Sequence, residues 1–146
     1  MIVMKYAKQG SLRILLNSKY SELDWASKVA NLYYIASGLN TIHKAKLVHK
    51  NFHSGNIVNK NKYISYITDY GLCKPVSQDS SSKALFGVLP YIAPEVLYAH
   101  GKEYTKKSDI YSFGIIMSEV FTRYPPYHDI PHDKDLATHI CLGYRP

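Results

Sequence analysis

Hydrophobic residues along this chain change their spacing several times, and each change marks an element. Met1-Ile2-Val3-Met4-Lys5-Tyr6-Ala7 reads as an apolar strand with no turn before it, an abrupt start that predicts further sequence upstream. Gly10-Ser11 then breaks the pattern, and Ser11 is placed to cap a helix carrying Leu12, Ile14, Leu15 and Leu16. From Asp24, Val29, Leu32, Ala36, Leu39 and Ile42 recur at steps of three and four, which predicts a long helix with one apolar stripe. Asn59-Lys60-Asn61 predicts a turn between two short strands, Ile57-Val58 and Tyr63 to Ile67. Gln78 to Ser82 is polar without periodicity and reads as a loop. Pro94 suits the first turn of a short helix ending at Tyr98, because the N–H it lacks would be unpaired there anyway. Ser108 is positioned to cap a helix from Asp109 to about Phe121. Ile110, Phe113, Ile115, Ile116, Met117, Val120 and Phe121 make that helix apolar nearly all round, which predicts burial on every side. Tyr124-Pro125-Pro126-Tyr127 ends it, and Asp133 to Leu142 predicts a last amphipathic helix stopped by Gly143.

The bulk numbers narrow the class. With 146 residues and an apolar share of 46%, the chain can build one domain around a real core, and a disordered chain is excluded. Cys73 and Cys141 are too few for a disulfide framework or a zinc site, which points to a reducing compartment. The longest apolar run, Phe113 to Met117, is far too short for a membrane span, and residues 1–10 lack a signal-peptide pattern. A soluble cytoplasmic protein is the expectation. The net charge of +7 is uneven, with +8 in residues 1–62 and −1 in residues 63–146. The Lys and Arg residues of the basic part, 1–62, are scattered singly, however, so a solvated basic face accounts for them better than a nucleic-acid footprint. No internal repeat or interdomain linker interrupts the chain.

Chemistry concentrates in four segments. They are His49-Lys50-Asn51-Phe52-His53-Ser54-Gly55-Asn56, then Asp69-Tyr70-Gly71, then Gly87 to Glu95, and finally Ser108-Asp109-Ile110-Tyr111-Ser112-Phe113-Gly114. Any one of these polar residues alone would read as a cap, a turn or a satisfied polar group. Together and in this order they resemble the catalytic loop, metal-binding triplet, activation-segment end and central helix of a protein kinase, of the tyrosine-kinase-like or Ser/Thr type. The fold this implies is α+β: a mostly helical C-lobe with short β-strands, the N-lobe almost entirely absent. Residues 1–146 would then be a partial kinase domain, running from the hinge through helix G.

The resemblance also assigns roles, with ATP and Mg²⁺ as the implied cofactors and a protein substrate or protein partner as the implied partner. No nucleic acid or membrane is expected. Asn56 and Asp69 match the metal ligands, and both supply the oxygen atoms that Mg²⁺ prefers. Met4 stands at the gatekeeper position, and Lys5, Tyr6 and Ala7 would turn backbone groups toward adenine. Val58 falls beneath the adenine ring, a placement equally consistent with a core residue. Among the catalytic-loop residues His49, Lys50, Asn51 and His53, Asn51 departs most from the family pattern. It occupies the place of the Asp that receives the substrate hydroxyl's proton, and an amide cannot take up a proton at neutral pH. His53 stands where many Ser/Thr kinases carry a Lys near the transferred phosphate. Lys50 replaces an Arg, a point charge in place of a bidentate fork.

In the activation segment, Ser77, Ser80, Ser81 and Ser82 read either as phosphorylation sites facing Lys50 or Lys74 or as a solvated loop. Gly87 and Tyr91 resemble the stretch that receives the substrate residue, and Tyr91 in place of Trp leans toward a Ser/Thr acceptor. Glu95 resembles the end of the segment, and Asp109 a structural residue of the central helix. Neither a G-x-G-x-x-G loop nor a V-A-I-K strand occurs, so the parts that hold the α- and β-phosphates are missing from this sequence. An impaired kinase and a pseudokinase scaffold both follow from that combination.

Overall fold

The computed structural model describes residues 7–75, 87–100 and 104–146. The expected opening strand up to Tyr6, with Met4 and Lys5, lies outside these residues, as does the serine loop with Ser77, Ser80, Ser81 and Ser82.

Helix α1 (Leu12–Lys19) starts where the sequence predicts, with the Ser11 hydroxyl accepting the Ile14 N–H. It buries Leu12, Leu15 and Leu16, while Ile14 points outward. Helix α2 (Trp25–Lys44) is capped by Asp24, whose side chain accepts the Ser27 N–H. Its buried face carries Leu32, Ile35, Leu39 and Ile42, with Ser27 and Asn31 in line. Val29, expected in the stripe, is 44% exposed, and Ile35 takes the inner position instead. Asn31 can lie inside because its amide donates to the carbonyls of Ser27 and Lys62.

Two short antiparallel ribbons follow. Strand β1 (Leu47–Val48) pairs with β4 (Lys74–Pro75), and β2 (Ile57–Asn59) pairs with β3 (Ser65–Ile67) through Ile57↔Ile67. The second strand of that hairpin is shorter than predicted. The Asn61 side chain accepts the N–H groups of Tyr63 and Ile64, holding them in the turn and out of the ladder. The effect on function is positional: β1 leads into residues 49–56, and β3 leads into residues 69–71, so the two ribbons deliver both motifs to one place.

Helix α3 (Pro94–Tyr98) begins with Pro94 as expected. Helix α4 (Lys106–Thr122) starts three residues earlier than the sequence suggested. Thr105 is its cap and Ser108 is the reciprocal partner of a capping box, each side chain accepting the other's N–H. The expectation of burial on every side does not hold among the described residues. Ile115, Ile116 and Val120 are buried, but Ile110 is 55% and Met117 38% exposed. Helix α5 (Lys134–Cys141) is capped by Asp133 and followed by Gly143 at φ +101°.

The main core joins α1, α2, β2, β3 and α4 around Ile35, Ile57 and Ile116, with Phe52 and Tyr91 closing it on the motif side. A second cluster packs α3 against α5 through Val96, Leu97, Leu136 and Ile140. Each fully buried Leu or Ile stabilises by about 1.5–3 kcal/mol relative to exposure, so the motifs rest on a firm base. No helix of the described residues is long and apolar enough to cross a membrane.

Candidate active site

The loop of residues 49–56 is held from below by Asp109, near the start of α4 and 2% exposed. Its carboxylate accepts the His49 N–H at 2.8 Å, the Lys50 N–H at 3.2 Å and His43 Nε2 at 2.9 Å. Lys50 can meet this demand only with φ at +70°, a left-handed conformation that a non-glycine residue adopts at some cost. His49 is fully buried. Its Nε2 lies 2.9 Å from the Thr68 carbonyl, which can only accept, so the ring proton sits on Nε2. Nδ1 is left to accept the Asn51 N–H at 3.3 Å. His49 therefore links the backbone of the loop to the strand end that precedes Asp69.

Above this anchored backbone the side chains meet. Asn51 Nδ2 lies 3.0 Å from Asp69 Oδ2, and Asn56 Nδ2 lies 3.2 Å from the same oxygen. Asn56 Nδ2 also donates to the Asn51 carbonyl at 2.9 Å. A carboxylate only accepts, so both amides must turn their nitrogens toward it and their oxygens away. Asp69 is exposed and takes the left-handed conformation, φ 62° and ψ 55°, which carries its side chain back over the loop. Tyr70, in the usual place of a Phe, satisfies its hydroxyl on the Ile67 carbonyl at 2.6 Å.

Magnesium takes few protein oxygens and keeps water for the rest. Nothing among the described residues engages the Oδ1 atoms of Asp69 and Asn56, so the donor set suits such an ion, with a single negative charge to hold it. Among the described residues no group of three or more His, Cys, Asp or Glu side chains comes together at a metal-binding spacing.

His53 sits beside Tyr91, ring centroids 5.9 Å apart, and its Nδ1 accepts the Gly55 N–H at 3.1 Å. Gly55 is required for that closure, since a Cβ there would lie 2.8 Å from His53 Cε1. Burial, and then the neighbouring His49, hold the His53 pKa below its ordinary value. Burial, and then Lys74, lower that of Lys50, whose ammonium lies 5.4 Å from the Tyr104 ring. Gly87 has φ +117°, open to glycine and strained for other residues. Val58 is half-buried in β2, opposite Tyr66. The Ala7 carbonyl is taken by the Gly10 N–H in a turn, 3.1 Å away. Glu95 is exposed in α3 and has no ion-pair partner among the described residues.

Tyr91 reveals a cluster that the sequence did not suggest. Its ring is 4% exposed, and its hydroxyl donates to Glu119 Oε2 at 2.6 Å, receives Arg13 and lies 3.1 Å from Ser54 Oγ. Arg13 and Glu119 form an ion pair at 3.0 Å. Burial pushes the Glu119 carboxyl above its usual range, against the pull of Tyr91 and Arg13, and burial with Glu119 pushes the Tyr91 phenol far above its own. The cluster ties α1, the catalytic loop, the activation-segment end and α4 into one unit. Arg13 and Tyr91 are 78 residues apart, so no local pattern announces the contact.

The cavity between Lys50, Val88, Tyr91, Tyr104 and Asp109 has a volume of about 10 Å³, room for a single water. A far roomier cleft, about 550 Å³, lies at Ile130, His139, Leu142 and Tyr144 and includes none of the motif residues.

The family model for protein tyrosine and serine/threonine kinases matches residues 1–146. The chain belongs to the protein kinase superfamily. It is 33% identical over 144 residues to a probable leucine-rich repeat receptor-like protein kinase of Arabidopsis thaliana, covering 94% of this chain and 13% of that protein. A probable serine/threonine-protein kinase of Dictyostelium discoideum is 37% identical over 134 residues, covering 88% of this chain and 13% of that protein. The atrial natriuretic peptide receptor 2 of Anguilla japonica is 34% identical over 153 residues, covering 99% of this chain and 15% of that protein. This chain thus spans 13–15% of the length of these relatives. Its α+β fold is that of a kinase C-lobe, with the two ribbons carrying the catalytic loop and the Asp69 triplet.

Proposed function

We propose that this chain is part of a Ser/Thr-type protein kinase domain whose transfer of the ATP γ-phosphate to protein hydroxyls is impaired. The observation that carries this reading is the Asn51 Nδ2 to Asp69 Oδ2 contact of 3.0 Å. The residue in the proton-acceptor position is used as a donor, and its Oδ1 can accept a hydrogen bond from a hydroxyl without removing the proton. Positioned general-base help is worth ~10²–10⁴-fold, so its loss slows transfer without abolishing every other contribution.

In this reading Asn56 and Asp69 hold Mg²⁺, whose charge offsets that of the ATP phosphates. Val58 faces adenine, Gly87 and Tyr91 shape the acceptor stretch, and the partner is a cytoplasmic protein. Asp109 keeps the loop backbone in place whatever is bound, because its three donors come from the protein itself. A pseudokinase scaffold is the second reading, favoured by the way Asn51, Asn56 and Asp69 bond to one another within the protein.

The test is ³²P transfer from ATP to a generic protein substrate by the purified chain. Transfer at background level and weak nucleotide binding are expected. Robust transfer that disappears with Asp69→Ala would overturn the reading.

A further inference from the structure

Asp69 Oδ2 receives two amide donors, at 3.0 Å from Asn51 and 3.2 Å from Asn56. These are charge-assisted hydrogen bonds, about twice as strong as neutral ones. They occupy one of the two carboxylate oxygens, so a cation held by both oxygens must displace a donor from Oδ2, while Oδ1 stays open to it among the described residues. Asn56 stays tied to the Asn51 carbonyl when it lets go of Asp69, whereas the Asn51 side chain has no second acceptor among the described residues.

We propose that Asn51 is an amide latch on Asp69: it closes the metal-binding triplet onto the catalytic loop in the cation-free protein and competes directly with divalent cations for Oδ2. Asn51 thus sets cation affinity as well as failing as a base. The latch also holds Asp69, at φ 62°, over the loop. The inference rests on the reading that Asp69 and Asn56 form the cation site, and it predicts something that reading does not. Removing the Asn51 side chain should strengthen cation binding, although the residue carries a potential oxygen ligand.

Mn²⁺ titration of the protein, followed by the loss of the free-ion EPR signal, reads this without any catalytic turnover. Against wild type, Asn51→Ala is expected to bind Mn²⁺ about fivefold tighter, the release of one hydrogen bond to a charged group near the surface. Asn51→Asp, which also adds a charge, is expected to tighten binding on the order of tenfold or more. Side-chain amide NMR in EDTA supplies the second readout: one Asn Nδ2 resonance shifted by the carboxylate, absent in both variants and moved by Mg²⁺ in the wild type. Weaker Mn²⁺ binding by Asn51→Ala would make Asn51 a ligand, and equal binding would make the contact irrelevant; either result overturns the latch alone. No binding by wild type, Asn51→Ala or Asn51→Asp would overturn the cation site as well.

Discussion

Two aspartates grip the catalytic loop from opposite sides, and they differ in almost everything but their side chain. Asp109 is buried and takes two backbone N–H groups and His43; Asp69 is exposed and takes two side-chain amides. The donors of Asp109 have nowhere else to go, so its bonds belong to the fold. The amides on Asp69 face water and can be released, so its bonds are available for exchange with a ligand. Burial of the donors, more than the number of bonds, separates the scaffold from the chemistry.

The largest effect that could break this comparison is expected from Asp109→Ala. It leaves buried N–H groups unpaired at about 1–3 kcal/mol each, so urea unfolding should show a loss of about 3 kcal/mol or more. A loss below 1 kcal/mol would deny Asp109 its scaffold role. Tyr91→Phe sharpens the contrast from the same buried side. Removing the hydroxyl strips a partner from Glu119, Arg13 and Ser54 together, and a loss of about 2 kcal/mol is expected in the same measurement.

Acidification comes next. The His53 pKa lies below its unfolded value, so the unfolded chain binds more protons through that window and stability falls as pH drops below about 6.5. Protonation also removes the lone pair that receives the Gly55 N–H. Thermal melts between pH 7 and 5 should lose less in His53→Gln than in wild type, and an equal loss would clear His53 of the effect. Smallest of all, Asp69→Ala is expected to cost about 1 kcal/mol of unfolding stability, since its two amide donors turn to water when the carboxylate is gone. A cost approaching that of Asp109→Ala would erase the distinction between the two sides.

Much of this arrangement was legible in the sequence because it rests on local rules. Ser11, Asp24, Pro94, Asp133 and Gly143 mark helix ends through their own backbone preferences, and all stand where such residues belong. The order of the motifs around Asn51, Asp69 and Asp109 was equally visible. What escaped depends on partners distant in the chain. Arg13, Ser54 and Glu119 look like surface or turn residues until α1 and α4 bring them to Tyr91. Ile35 lies deepest where Ala36 was expected, because a stripe of period 3.6 fixes a helix face only to within a residue, and Val29 falls outside that face. Met117 and Ile110 face outward on α4 although composition alone argued for burial all round. The donor role of Asn51 was hidden too, since sequence shows which group is absent from a site and not what the replacement bonds to.

The measurement closest to the central claim is the rate of phosphoryl transfer at saturating MgATP by the protein as it occurs in the cell, with Asn51 and with Asn51→Asp. Asn51→Asp exchanges the amide donor for a proton acceptor and leaves the Asp109 side of the loop untouched. The account predicts a rise of about 10²–10⁴-fold. An unchanged rate would contradict it, placing the limit on catalysis somewhere other than the Asn51–Asp69 contact.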